Sequence, residues 1–247
     1  MTNKFLHVGC GRLTKEHSTP EFMKDKWTET RLDIDESVNP DIVASLTDMS
    51  VVDSNSFDSI YSSHNIEHLF AHEVPIALKE MHRILNSTGY LIITCPDLQS
   101  VCEHIAEGRL TDKLYDSGMG PISPIDILYG HRASIQNGNH YMAHKVGFTA
   151  SVLNSTLLGV GFKSAAVVQH KRSYNLWGIG YKELDSDKET LAKELNKHVN
   201  FTLLADSNKW IIMKNPIFHY GQHILHKMAI PCQAIGLWVD KQQGMLI

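Results

Sequence analysis

The sequence predicts an α/β fold: a doubly wound, mostly parallel sheet with a C-terminal antiparallel β-hairpin. Three observations predict it. Apolar runs of strand type alternate with helical and polar stretches through residues 1–96, the order that produces a sheet covered by helices. One of those runs, Tyr90-Leu-Ile-Ile-Thr-Cys95, is apolar almost throughout, as in a strand covered on both faces. Residues of ligand-binding type fall at the predicted ends of successive strands, where open α/β sheets bind their ligands.

The first strand is Phe5-Leu-His-Val8, and it enters the turn Gly9-Cys-Gly11. Two glycines one residue apart let the backbone turn sharply and approach a ligand closely, because a Cβ there would collide. Taken alone, the turn serves equally well as a bare tight turn. Residues 14–26 are polar and read as a loop with a weak helix at 20–26. A second strand covers residues 31–34. Its alternation points Ile34 into the core and puts Asp33 and Asp35 on the opposite face. Asp33 lies 22 residues beyond Gly11, close to the spacing at which a carboxylate accepts from the two ribose hydroxyls of a nucleoside. Asp35 is the understudy, and the competing use of either acid is to end the strand or cap the next element.

Residues 39–48 follow, with Ile42, Val43 and Leu46 on the apolar side and Asp48 at the closing loop. A carboxylate there suits an exocyclic amine such as that of adenine, or it is an ordinary turn aspartate. Residues 56–63 alternate Phe57, Ile60 and Tyr61 with serines and break into His64-Asn-Ile-Glu-His68. Val74, Ala77, Leu78, Met81, Ile84 and Leu85 have the spacing of a helix with one buried face. Residues 86–89 stop it, with Gly89 as C-cap or turn residue. The apolar strand comes next, and Pro96 ends it. Further on, Thr149 is placed to N-cap a helix over residues 150–158 that Gly159 closes. Apolar runs at 162–170 and 174–181 flank Lys171-Arg-Ser173 and read as a hairpin, so one of them runs antiparallel to the rest.

At 247 residues, 43% hydrophobic, the chain fits one large domain, or one with an appendage. A net charge of -4 with 20% charged residues gives no basic surplus for a nucleic-acid binder. No window of about 18 apolar residues predicts a membrane span. The first residues lack a signal-peptide pattern, and Cys10, Cys95, Cys102 and Cys232 form no close pair, so reduced thiols in a cytoplasmic protein are expected.

Taken together, these residues resemble the class I S-adenosylmethionine-dependent methyltransferases, whose fold is Rossmann-like. The resemblance spans roughly residues 4–182. It is carried by Leu6-His-Val-Gly-Cys-Gly11, Leu32-Asp-Ile-Asp35, Pro40-Asp-Ile-Val43 with Leu46-Thr-Asp48, Phe57-Asp-Ser-Ile-Tyr-Ser-Ser-His-Asn-Ile-Glu-His-Leu69, and Met81-His-Arg-Ile-Leu-Asn-Ser-Thr-Gly-Tyr-Leu-Ile-Ile-Thr94. Within the family it looks most like the small-molecule and sugar-type branch. It implies S-adenosylmethionine as cofactor. Gly9, Cys10 and Gly11 would line its methionine moiety through their backbone, and Asp33 would bind the ribose. Asp48 and the backbone of Met49 would address the adenine, while Ser63 and His64 would sit beside the methyl group. Two positions depart from the family: His7 stands where an acid is common, and Leu13 replaces the third glycine. The resemblance also implies a methyltransferase domain over 1–184, with the acceptor pocket in the insertion 97–145. Residues 185–247 form an extension, helical at 188–198, whose apolar content argues against disorder. A packing extension, a homo-oligomer contact and an acceptor lid all stay open for it.

Histidine is abundant, 15 residues, about twice average usage. His131, His140 and His144 are the candidate general bases, since a hydroxyl acceptor must lose a proton and an imidazole titrates near neutrality. The same three could ligate zinc, but no HExxH pattern accompanies them, so no metal site is expected. His68 reads as a structural histidine, and Glu67 as the start or cap of the next helix. Cys10 lacks a paired base and is not expected to be a nucleophile. The function expected is O-methylation of a sugar or other small polar metabolite, without nucleic-acid or membrane partners. The alternatives are a nicotinamide-dependent oxidoreductase, which would want a glycine where Thr14 stands and no terminal hairpin, and a non-catalytic methyltransferase-like binding module.

Overall fold

The computed structural model describes residues 2–170, 173–199 and 210–211. The sheet is built from β1 (Asn3–Val8), β2 (Trp27–Asp33), β3 (Ile42–Val43), β4 (Phe57–Ser63), β5 (Leu85–Pro96) and three later strands. Between β4 and β5 lies helix α1 (Val74–Ile84). After β5 come α2 (Leu98–Ala106), the short strands β6 (Tyr115–Ser117) and β7 (Gly120–Ile122), then α3 (Pro124–Tyr129) and α4 (Arg132–Gln136). Helix α5 (Ala150–Val160), strands β8 (Ser164–His170) and β9 (Asn175–Tyr181), helix α6 (Lys188–His198) and β10 (Trp210–Ile211) complete the described chain.

The eight-stranded sheet runs in the order β10-β8-β9-β5-β4-β1-β2-β3. From β5 to β3 all neighbours are parallel. β9 lies antiparallel to both β5 and β8, so the expected hairpin is present and β9 is its reversed member. The two halves of the sheet meet at β1 and β4, and the chain leaves both strands at the same end. That is the switch point where such sheets open a crevice.

Strand alternation divides the core in two. Leu6, Val8, Leu32, Ile60, Leu91 and Ile93 pack with α1 and α5 on one face. Phe5, Tyr61, Tyr90, Ile92 and Val168 pack with Phe22, Trp27 and the α6 leucines Leu191 and Leu195 on the other. Phe22 stacks on Phe5 at 4.4 Å and meets Trp27 edge-on at 5.1 Å.

Several local expectations are corrected. Residues 20–26 form turns, not a helix. The second strand starts earlier and ends at Asp33, so Ile34 is exposed while Leu32 fills the core. The serines of β4 do not form a wet face: Ser59 and Ser62 are fully buried, as the covering of both sheet faces demands. α1 stops at Ile84 because Leu85 already pairs with Phe57; residues 86–89 then bulge out before pairing resumes at Tyr90. Gly159 sits inside α5, and Gly161, at φ +121°, ends it. Thr149 does cap that helix, accepting from the Val152 N–H. α6 matches the expected helix at 188–198. The tail with Pro216, His219, His223, His226 and Cys232 lies outside the described residues. No helix among the described residues is long and apolar enough to cross a membrane.

Candidate active site

The turn after β1 has the backbone its glycines permit. Gly9 and Gly11 adopt φ of +61° and +53°, a region that disfavours side chains. Their surroundings differ. A Cβ on Gly9 would lie 1.9 Å from Asn65 Oδ1, whereas one on Gly11 would meet nothing within 4 Å. Gly9 is thus small for the protein's sake and Gly11 faces open space. No sequence pattern marks Asn65. Its Nδ2 donates to the carbonyls of Val8 and Ser63, at 2.9 and 3.0 Å, and ties the ends of β1 and β4 together.

The turn does not open a helix; it runs on to a single 3-10 turn, Lys15–His17. Its carbonyls therefore need other donors, and Arg31 on β2 supplies them. The guanidinium donates to Gly11 O at 2.6 Å, Leu13 O at 3.0 Å and Asn39 O at 2.8 Å. Asp33, nearly buried, stands next to it. One carboxylate oxygen accepts from Gly11 N at 2.7 Å and the other from Asp35 N at 2.9 Å. Each oxygen keeps a second lone pair for a ligand hydroxyl. Asp35 is exposed and caps the turn Glu36–Val38 through Ser37 N. Cys10 is buried, and burial pushes its thiol up to about 11 against the lowering influence of Arg31, consistent with an unreactive side chain. His7 is buried too and bonds Glu29 on β2 at 2.8 Å, so a histidine–carboxylate pair ties β1 to β2.

Asp48 is exposed and accepts from Ser50 N; hydrogen bonding from the Ser50 side chain and then its backbone holds its carboxyl below the usual range. It borders a shallow cavity of about 450 Å³ with Thr47, Ile76, Lys79 and Glu80. The Met49 N–H donates to Glu80 Oε2 and its carbonyl accepts from Arg83. These bonds fix the Met49 backbone against α1 beside Asp48.

Beyond β4, Ser63 Oγ bonds Thr94 Oγ1 at 2.9 Å. His64 sits at φ +54°, a costly conformation for a non-glycine residue that clusters at functional sites. Its N–H donates to Thr94 O, and its half-exposed ring reaches Glu67 Oε1 at 3.1 Å. Glu67 does not start or cap a helix. It lies buried in the 3-10 turn Ile66–His68, several residues before α1. Burial raises its carboxyl, but the His64 hydrogen bond and the charge of His64, His68 and His144 outweigh this and hold it low.

The insertion returns to this turn. Lys145 N and Val146 N both donate to Glu67 O, and His68 Nδ1 bonds Ala143 O at 3.1 Å. Gly130, at φ +95°, admits this return strand: a Cβ there would lie 1.9 Å from Met142 O. His144 is delivered against His68, ring centroids 5.0 Å apart, with its Nδ1 on Ile127 O at 2.6 Å. Burial lowers the His144 imidazole more than Glu67 raises it. The three expected bases thus separate. His144 joins the end of β4. His131 caps α4, accepting from Ser134 N, and His140 is an exposed residue of the turn His140–Met142.

A mostly parallel sheet with a reversed strand β9 and a glycine turn at its switch point is a Rossmann-like fold. Residues 6–93 match a family model described as a methyltransferase domain. No curated protein sequence matches the chain. Among solved structures, it is similar to a SAM-dependent methyltransferase of Thermotoga maritima, described as a possible histamine N-methyltransferase: 17% identity, 74% of this chain and 83% of that one, TM-score 0.45. It is also similar to the 1,6-didemethyltoxoflavin-N1-methyltransferase of Burkholderia thailandensis: 14% identity, 72% and 70% covered, TM-score 0.47. A SAM-dependent methyltransferase of Methanosarcina mazei is a third: 15% identity, 74% and 93% covered, TM-score 0.49. S-adenosylmethionine is the cofactor that goes with this domain, and the residues fit it. The space at Gly11 is what close backbone approach requires, and Asp33 beside it offers the acceptors that a ribose needs.

Proposed function

We propose that the protein transfers the methyl group of S-adenosylmethionine to a small polar acceptor, in the first instance an oxygen of a sugar or other metabolite. The observation that carries this reading is the open approach at Gly11 with the Asp33 carboxylate bonded to its N–H. The cofactor supplies a methyl group already activated on a sulfonium. The chain's task is then alignment and removal of the acceptor's proton.

Gly9, Cys10 and Gly11 would shape the methionine side through backbone, and Asp33 would accept from the ribose hydroxyls. Asp48 and the backbone of Met49 would address the adenine. Ser63 and His64 would flank the transferred methyl group, held there by Thr94. The insertion would close the acceptor side, and His144 is the one of the three histidines that it brings to the end of β4.

Isothermal titration with S-adenosylhomocysteine tests the reading. Binding tighter than about millimolar, roughly −4 kcal/mol, with at least about tenfold loss in Asp33→Ala is expected, since a hydrogen bond to a charged group is worth about 1.5–3 kcal/mol. No binding by the folded protein would overturn it, and unchanged affinity in Asp33→Ala would remove the ribose assignment.

A further inference from the structure

Glu67, His68 and His144 come together with a donor geometry that methyl transfer alone does not explain. One ligand-type atom from each residue lies within 4.8 Å of the other two. The three are drawn from separate parts of the chain: two from the turn after β4, one from the far end of the insertion. Three features prepare them for one occupant.

The first is Glu67 itself. It is buried, and its Oε1 is bonded to His64 Nδ1, but its Oε2 is buried with no hydrogen-bond partner among the described residues. A buried carboxylate oxygen left bare is costly. The other two features are the rings. His68 Nδ1 faces the Ala143 carbonyl and His144 Nδ1 faces the Ile127 carbonyl. A carbonyl only accepts, so each ring donates Nδ1–H and keeps its lone pair on Nε2. Backbone carbonyls that fix the tautomer in this way are the usual support of metal-ligating histidines.

We propose that Glu67, His68 and His144 form a binding site for a first-row divalent metal ion, zinc first. Two imidazole nitrogens and one carboxylate suit zinc with an open position, or iron(II). The carboxylate ligand is Glu67, 77 positions from His144 in sequence, so ligand spacing could not reveal it. An ion there would satisfy Glu67 Oε2 and leave positions for water or an acceptor oxygen. Ligation lowers the pKa of a bound O–H strongly; its proton would pass to solvent, with His144 then acting as ligand and not as base. That consequence rests on the proposed methyl transfer, whereas the metal site stands on the three residues.

The test uses full-length protein stripped of metal with a chelator. Titration with Zn²⁺ and, separately, Co²⁺ is expected to show one tight equivalent per chain, a visible Co²⁺ band of low-coordinate type, and a rise in melting temperature. Glu67→Gln, His68→Ala and His144→Ala should each weaken binding at least about tenfold, since losing even an outer-shell partner of a ligand costs about 10–100-fold. The exposed-histidine control His72→Ala should not. Glu67→Gln keeps the side-chain shape, and circular dichroism on each variant separates lost ligation from lost folding. No tight equivalent, or one that survives in all three folded variants, overturns the proposal. S-adenosylhomocysteine titrated into stripped and loaded protein separates the two readings: cofactor binding without metal binding fells only this one, and metal binding without cofactor binding fells only the methyltransferase assignment.

Discussion

Two glycines separated by one residue have different reasons to be glycine, and that difference can be measured. Gly9 is crowded: a Cβ would run into the Asn65 side chain that joins the ends of β1 and β4. Gly11 is open, so alanine there pays only for the left-handed backbone, about 1–2 kcal/mol. We expect Gly9→Ala to be destabilised by more than Gly11→Ala in urea unfolding, by at least about 1 kcal/mol, through clash with a fixed side chain. We expect the reverse order for S-adenosylhomocysteine affinity measured per folded molecule, because the added methyl on Gly11 occupies the approach to the ligand. Equal stability losses would mean that the Asn65 contact yields freely. Unchanged affinity in a folded Gly11→Ala would mean that the ligand does not come to this turn.

At the scale of elements, the first turn shows how far sequence patterns reach. The strand, the glycines and Asp33 were all readable, because each is local: apolar run, turn residue, acid at a fixed distance. The helix expected at 20–26 was not formed. Its apolar residues serve instead as a plug, Phe22 stacked on Phe5 and crossed by Trp27, while the carbonyls of Gly11 and Leu13, in a turn that opens no helix, pass to Arg31. Nothing in the local pattern of Arg31 announces that duty. Helix α6 is the complementary case: its spacing was readable, its anchor was not. His198, at its last turn, is buried between Thr19 and Tyr90, with Nδ1 2.8 Å from Thr19 Oγ1. Burial pushes its imidazole down to about 3, more than Glu21 raises it, with Lys197, Lys24 and Lys26 adding to the fall. In the unfolded chain the ring takes up its proton near 6.5. Between those values the unfolded state binds more protons, so the stability that His198 contributes is complete above about pH 6.5 and declines with acid, by about 2 kcal/mol at about pH 5. Urea midpoints at pH 7.5 and about pH 5 should therefore differ less in His198→Gln than in the parent. Parallel pH dependence in the two proteins would show that the buried ring is not what acid attacks.

For the whole molecule, the parallel sheet and its reversed strand were legible because continuous apolar runs and one turn-flanked pair specify them, whereas the path of the insertion was not. His144 and Glu67 meet only because the insertion runs out through α2, the β6–β7 hairpin, α3 and α4 and comes back past Gly130. That path depends on a glycine whose Cβ would strike Met142 O, a contact no periodicity encodes. The two regions also differ in what holds them. The sheet carries two extensive apolar layers, while the insertion has a cluster of its own built on Val101, Ile122 and Ile127. The insertion returns to the sheet through the paired bonds of Lys145 and Val146 to Glu67 O and the ring of His68 on Ala143 O. Segments with few buried apolar contacts open at lower free energy than the core that carries them. Native-state hydrogen exchange is thus expected to show amides of residues 101–142 exchanging at least about 100-fold faster than those of β4 and β5. The N–H groups of Lys145 and Val146 should fall between, since they mark the seam. Protection of the insertion equal to that of β5 would mean that it folds and opens with the sheet as one unit. Exchange that is fast in the insertion and slows when S-adenosylhomocysteine is added would place its closure in the binding step itself, because a ligand raises the cost of opening only for the segments it helps to hold.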